Sequence, residues 1–279
     1  MPTPGENILA KALMPTADSS AEIRERISAQ IRARSVFSAR TPSMRYLAKL
    51  QEVLAKAVDG EINNATARTE LAEFGRALGY TPDGGFPGEE ATPPAEADGL
   101  QDLLSKKRLA LILDTNRKLA SSARQQADGN SDYALYAYPA WSLERRSTRS
   151  RPRGDWAERW RAAGESVAWE GAAQPAVGIL GEPRMIALKD SPIWAALGRG
   201  EGGYEDVLDT SMPPFAYGSG LGWVPVKRVD AEALGLLANG DPGATAMDLS
   251  PTQKEWDNVF DALGDGGIAD LMRKLGGAA

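Results

Sequence analysis

Along the first half of the chain, apolar residues recur at helical spacing in successive stretches. In "SSAEIRERISAQIRARSVFSAR", Ile23, Ile27 and Ile31 form one stripe with Arg24, Arg26, Arg32 and Arg34 around it. That spacing predicts a short amphipathic helix within an N-terminal arm, which either packs at home or docks on a partner. A second helix is expected from Thr41 as N-cap and Pro42 at the first helical position, with Leu47, Leu50, Leu54 and Val58 on one face and a stop at Asp59-Gly60. A third, from Asn64 to Leu78, places Leu71, Phe74 and Leu78 together and ends at Gly79, so the two make a helical hairpin. A longer helix, about Leu100 to Gln126, sets Leu104, Leu111 and Ile112 on its apolar side with Gly129 beyond its end. At about 1.5 Å per residue it would be about 40 Å long.

Between the third and fourth helices the pattern stops. "YTPDGGFPGEEATPPAEADG" is rich in proline, glycine and glutamate and nearly free of aliphatics, the composition of a linker or long exposed loop. After Tyr133 the period shortens, and strands are expected at Tyr133 to Ala137, Arg184 to Leu188 and Trp223 to Arg228. Six of the seven tryptophans fall between Trp141 and Trp223, which marks that region as the place of a separate core. The chain then returns to helix, with Ser250 as N-cap, Pro251, a capping-box Gln253, and Trp256, Phe260 and Leu263 on one side. The expected fold class is α+β: a helical region at 1–79, a linker at 80–99, an α+β tryptophan-rich module at 100–230 and a C-terminal helical segment at 231–279.

Composition narrows the chemistry. A chain of 279 residues, 42% hydrophobic and 25% charged, can bury a sizeable core. It has no histidine and no cysteine, which removes Ser-His-Asp, Cys-His, Cys/His zinc and disulfide chemistry. Carboxylates, lysine, tyrosine, a serine-lysine pair and oxygen-ligated cations remain. No run reaches the roughly 18 to 20 apolar residues of a membrane helix and no leader pattern opens the chain, so a soluble protein made in the cytoplasm is expected. A net charge of −6 offers no whole-protein attraction to nucleic acid.

Three stretches could nevertheless carry function. In "RRSTRSRPRGDWAERWR", Arg145, Arg146, Arg149, Arg151, Arg153, Arg159 and Arg161 meet only Asp155 and Glu158. This basic run suits DNA phosphates or an acidic partner surface, or else pairs with local carboxylates as a solvated loop. In "GRGEGG", Gly198, Gly200 and Gly203 satisfy G-x-G-x-x-G, but "DSPIWAAL" before it reads as a short helix capped by Asp190 or Ser191, and no helix follows, so a flexible loop is expected. In "TSMPPFAYGSGLGW", Ser219 lacks the nucleophile-elbow spacing and any histidine, and no phosphate-loop lysine is present. A structural turn is expected there, with Gly218 and Gly220 free to take positive φ and Phe215, Tyr217 and Trp223 packed around it.

The succession "RLALILDTNRKLASSARQQ", "YPAWSLERRSTRSRPRGDW", "MIALKDSPIWAALG", "PPFAYGSGLGW" resembles the Mu F-like head morphogenesis proteins of tailed phages, over about Leu100 to Arg228. Arg108, Thr115, Asn116 and Ala120 match the family's helix; Trp141, Arg146, Thr148 and Arg149 its W and T-R motifs. Asp190, Pro192 and Trp194 match the "DDPFW"-like element, and Pro213, Pro214 and Phe215 the double-proline turn. The family's histidine is replaced by Asp155 or Trp156 and its cysteine pair by "YGSGLGW", so no metal or thiol role carries over. The resemblance implies a minor head protein present in few copies inside the head near the portal, with portal and other head proteins and phage DNA as partners, and no catalysis and no cofactor. Two readings from the residues stay open beside it. One is a carboxylate- or lysine-dependent hydrolase or transferase using Glu182, Lys189 and Asp190; the other is an adaptor gripping a partner through the Ile23 to Ile31 helix.

Overall fold

Short polar side chains set most helix boundaries in the first half of the chain. The computed structural model describes residues 3–147, 152–177 and 183–247, and the fold is α+β. The chain divides into two compact units, with the boundary between Ala120 and Ser121.

In the first unit, Thr3 caps α1 (Pro4–Leu9): its Oγ1 accepts from the Glu6 amide at 3.0 Å, while the Glu6 carboxylate accepts from the Thr3 amide at 2.6 Å. Strand β1 (Ala12–Leu13) follows, then α2 (Ser20–Arg26), under a second reciprocal cap between Ser19 and Glu22. The expected helix through Ile31 does not run through. Ile27 is extended at φ −124°, and α3 (Ala29–Ala33) begins afresh after Ser28, a residue that competes with helix for backbone hydrogen bonds. Ile23, Ile27 and Ile31 all still face inward, forming a small core with Ala12 and Met14. This corrects the reading of an attached arm: β2 (Ser35–Val36) pairs in parallel with β1, and the segment is part of the fold.

Helix α4 (Met44–Val58) starts two residues later than expected. Thr41 is held in an isolated bridge with Thr16, and Ser43 takes over the cap by accepting from the Tyr46 amide. Tyr46, Leu47, Leu50, Val53 and Leu54 are fully buried. The buried Gln51 amide donates to the carbonyls of Ile8 at 2.9 Å and Lys11 at 2.7 Å, fastening the N-terminal segment to α4. Helix α5 (Asn64–Ala77) runs as expected, with Asn63 accepting from the Ala65 and Thr66 amides and Gly79 at φ +81° closing it.

The proline- and glutamate-rich stretch 80–99 is not a linker. Phe86 is 5% exposed and packs against Tyr46 and Tyr80, with ring centroids 5.4 and 5.1 Å away, and the Tyr80 hydroxyl accepts from the Leu103 amide at 2.9 Å. One aromatic anchor thus gives this composition a place in the core, an effect invisible to a composition window. The Asp102 carboxylate accepts from the Asp98 and Leu104 amides, holding a turn where helix was expected. Helix α6 (Lys106–Gly129) therefore starts later, and Leu109, Ile112 and Leu113 are its large buried apolar residues.

In the second unit, α7 (Asp132–Ala137) stands where a strand was expected, because Ser131 caps it by accepting from the Ala134 amide. The strand comes just after, as β3 (Ala140–Arg145), one of the two inner strands of a four-stranded antiparallel sheet. Next are α8 (Trp156–Ser166), β4 (Ala176–Val177), β5 (Pro183–Leu188), α9 (Ile193–Arg199), β6 (Leu221–Val226) and α10 (Arg228–Ala233), with sheet order β4-β5-β3-β6. Register puts Trp141 and Leu143 level with Ala187, Met185 and Trp223, all in one cluster with α8 and α9. Ala140 and its partner Val226 fall in a second cluster with Ile186, Ala231 and Leu237. Both faces of β3 are covered, so the strand lacks the alternation that would have announced it. The expected C-terminal helix with Ser250, Trp256, Phe260 and Leu263 lies outside the described residues.

Phe86→Ala should lower unfolding free energy by about 3 to 5 kcal/mol in chemical denaturation, the range for a buried phenylalanine. A loss under about 0.5 kcal/mol, typical of an exposed loop position, would return the stretch to linker status.

Candidate functional site

Arginines and glycines read from separate stretches meet at one end of the second unit. The segment Pro213–Trp223 enters through a cis Pro213-Pro214 bond, places Phe215 at φ +58°, and turns at Gly218 and Gly220, with φ of +64° and +73°. The Ser219 hydroxyl donates to the Pro214 carbonyl at 2.6 Å and accepts from the Leu221 amide at 3.2 Å, so it braces the turn and is buried. Phe215 packs beside Trp194 and Trp223, and Trp223 stacks on Trp141 with centroids 5.3 Å apart and planes 4° from parallel. Tyr217 is only partly buried. The expected structural turn is what stands here.

The basic run closes over that turn. Arg145 donates to the Ser219 carbonyl at 3.1 Å, Arg153 donates to the Tyr217 carbonyl at 3.0 Å, and the Gly220 carbonyl accepts from the Arg146 and Ser147 amides. Arg159, only 5% exposed, is enclosed: its guanidinium donates to Asp155 and forks onto both carboxylate oxygens of Asp206. Its flat faces lie against Trp156 and Tyr204, 5.0 and 4.1 Å from the ring centroids. Arg153 also pairs with Asp206. Partial burial pushes the Asp206 carboxyl up, but its hydrogen bonds from Arg159 and the charges of Arg159 and Arg153 outweigh this and hold it below its usual value.

Of the seven arginines read as a basic patch, Arg153 and Arg159 are thus internal ties and Arg145 is half so employed. Arg146 and Arg161 are exposed, while Arg149 and Arg151 lie outside the described residues. Tyr204 and Asp206 were not singled out from sequence. The signal was the acidic "YED" ahead of the glycine turn, which gains meaning only once the fold brings it to Arg159.

The second motif, around Asp190, is also structural. The Asp190 carboxylate accepts from the Thr245 amide and hydroxyl at 2.7 and 2.6 Å. Pro192 stands at the N-cap of α9, and the Ser191 hydroxyl beside it donates to the Glu170 carbonyl at 2.6 Å and accepts from the Ile193 amide. The Trp194 indole donates to the Leu188 carbonyl at 2.8 Å. The glycines at the end of α9 are not a loose loop throughout. Gly198 packs so tightly that a Cβ there would stand 1.9 Å from the Thr210 carbonyl oxygen, and Gly200 closes the helix at φ +78°.

Lys189, part of the hydrolase reading, is 1% exposed. Its ammonium donates to the Gly129 and Ala134 carbonyls, both at 2.9 Å, and sits 4.5 Å over the Trp141 ring. The site favours a cation because α6 ends there with its carbonyls outward, yet burial lowers the Lys189 pKa to about 8. Glu182, the third member of that set, lies outside the described residues. Among the described residues, no group of three or more carboxylates could hold a metal ion, and no helix is long and apolar enough to cross a membrane. Comparison with protein-family models, curated proteins and solved structures gives no match for this chain.

Asp206→Asn should cost about 2 kcal/mol in stability, since Arg159 stays buried with one carboxylate partner fewer, and should loosen the Tyr204 segment to proteolysis. An unchanged melting curve would show the pair to be dispensable. For Lys189, the unfolded chain keeps its proton to about pH 10.4 while the folded chain releases it near 8, so stability should rise across that interval. Urea titrations between pH 7.5 and 10.5 should show the rise in the parent chain and a smaller one in Lys189→Met; equal slopes would contradict the assignment.

Proposed function

We propose that the chain is a minor head protein of a tailed phage or prophage, associated with the portal on the inner side of the head and acting in head morphogenesis and in DNA packaging or delivery. The observation that carries this reading is a convergence. Trp141, Trp194, Phe215 and Trp223 come from three of the sequence stretches that resemble the Mu F-like proteins, and they are neighbours in one ring-on-ring core. Asp190 and Ser219, beside them in sequence, hold backbone and hydroxyl groups in place. Residues of this kind support a module whose recurring motifs preserve a shape, with partners met at its surface.

That surface offers two sorts of contact. Arg145, Arg146 and Arg161 are exposed, and suit an acidic portal surface or DNA phosphates. Tyr133, Tyr136 and Val229 are 73%, 58% and 65% exposed, and tyrosine is favoured at protein interfaces. With Arg153 and Arg159 turned inward, any DNA contact through the described residues of the arginine run engages few phosphates, and protein contacts carry the larger share.

Quantitative mass spectrometry of gradient-purified particles from the source strain tests the proposal. The chain should appear at a few copies per particle, in constant ratio to portal protein, in full and empty heads alike. Its absence from every particle fraction, with abundant chain in the free lysate, would discard the reading.

A further inference from the structure

Among the described residues, three of the large apolar side chains that remain exposed are gathered in one place. Tyr133 and Tyr136 stand three residues apart in α7, on one helix face, and are 73% and 58% exposed. The Arg228 guanidinium, at the start of α10, lies 4.4 Å from the centre of the Tyr136 ring, and its neighbour Val229 is 65% exposed. An apolar row therefore runs from Tyr133 through Tyr136 and the flat face of Arg228 to Val229, all within the second unit.

The row is held on a fixed frame. Arg228 donates to the Glu232 carboxylate at 2.8 Å and to the Asp241 carbonyl. Behind α7, Gly243 comes so close that a Cβ there would stand 2.8 Å from the Leu135 carbonyl oxygen. Tyrosines presented on such a frame lose little freedom when a partner covers them.

The charges bordering the row decide what that partner is. Asp132 adjoins Tyr133 at one end, and Lys227 adjoins Arg228 at the other, with Asp230 following Val229. All three are exposed and form no ion pair among the described residues, whereas Glu232 is matched by Arg228. Two carboxylates against one ammonium repel DNA and anionic lipid, which rules a polyanion out as the fitting occupant. A second copy of the chain offers both signs and the same apolar row. A twofold axis through the middle of the row lays Asp132 of each copy on Lys227 of the other, with the tyrosines between them.

The area sets the strength. At roughly 200 Å² for a tyrosine, the exposed parts of Tyr133 and Tyr136 come to about 260 Å² per copy, and a lasting dimer covers about 800 Å² on each partner. Pairing through this row is therefore weak and reversible, with its orientation set by the charges.

We propose that the row of Tyr133, Tyr136 and Val229 is the contact surface for a second copy of the chain, in a twofold pair held by Asp132 to Lys227 across the interface. The inference goes beyond the head-protein reading and does not rest on it.

Sedimentation velocity of the full chain at rising concentration tests it. The average mass should climb from the 29.8 kDa of one chain towards twice that value at several hundred micromolar. Tyr133→Ser should keep the circular dichroism spectrum, because that ring is exposed, and should weaken pairing about tenfold. Asp132→Lys and Lys227→Glu should each weaken it similarly, and an equal mixture of these two variants should regain the parent's mass, since each copy then offers the charge the other lacks. A parent chain that stays monomeric throughout, or a Tyr133→Ser chain that pairs as well as the parent, would overturn the proposal. So would a mixture no heavier than its two components, which would contradict the twofold arrangement.

Discussion

Trp194 joins α8, the end of β5, β6 and the glycine turn on one face of the sheet of the second unit, and the arrangement of that face follows from where this one indole must sit. It is fully buried in α9, with Trp160 of α8 at 5.3 Å, Trp223 of β6 at 5.4 Å and Phe215 of the glycine turn at 6.1 Å. Its ring nitrogen donates to the Leu188 carbonyl at the end of β5, which fixes the rotation of α9 about its axis. A side chain this large gives much of the apolar driving force of a small core, and its single donor gives orientation. Gly198, one turn further along α9, has no side chain because Thr210 occupies that space, so the helix can approach the loop that delivers Phe215.

Charge is then distributed around this apolar centre. A guanidinium as deeply enclosed as that of Arg159 needs its donors matched, and Asp155 and Asp206 match them while Trp156 and Tyr204 cover its faces. At the C-terminal end of α6, Lys189 answers the carbonyls of Gly129 and of Ala134 in α7. A strongly basic stretch in a protein of net charge −6 is in this way partly explained from within: two of its described arginines hold the fold and the exposed ones remain for partners.

Much of this was legible in the chain. The end of α5 followed from Gly79 because it is a local signal, and the turn at Gly218 and Gly220 followed from alternating glycines between rings. What escaped reading depends on distant partners. Phe86 turns an apparent linker into core only because Tyr46 and Tyr80 lie beside it. Strand β3 hides its period because both faces are covered, and the preceding tyrosines suggested a strand where Ser131 caps a helix. The same limit applies to the candidate site: the arginine run was plain in sequence, whereas the partner that claims Arg159 lies 47 residues away at Asp206.

The tryptophan-rich segments of the second unit, β3, β5, α9 and the glycine turn with β6, pack as one core and should open as one cooperative unit. Native-state hydrogen exchange of the full chain under increasing denaturant measures this directly, since amides of one cooperative unit merge to a common opening free energy. The amides of Trp141 to Leu143, Met185 to Leu188, Trp194 to Leu197 and Leu221 to Trp223 should share the slowest opening of the second unit. If the Pro213–Trp223 turn and β6 instead open early while the rest stays protected, that segment is a separable, mobile element and the central claim fails.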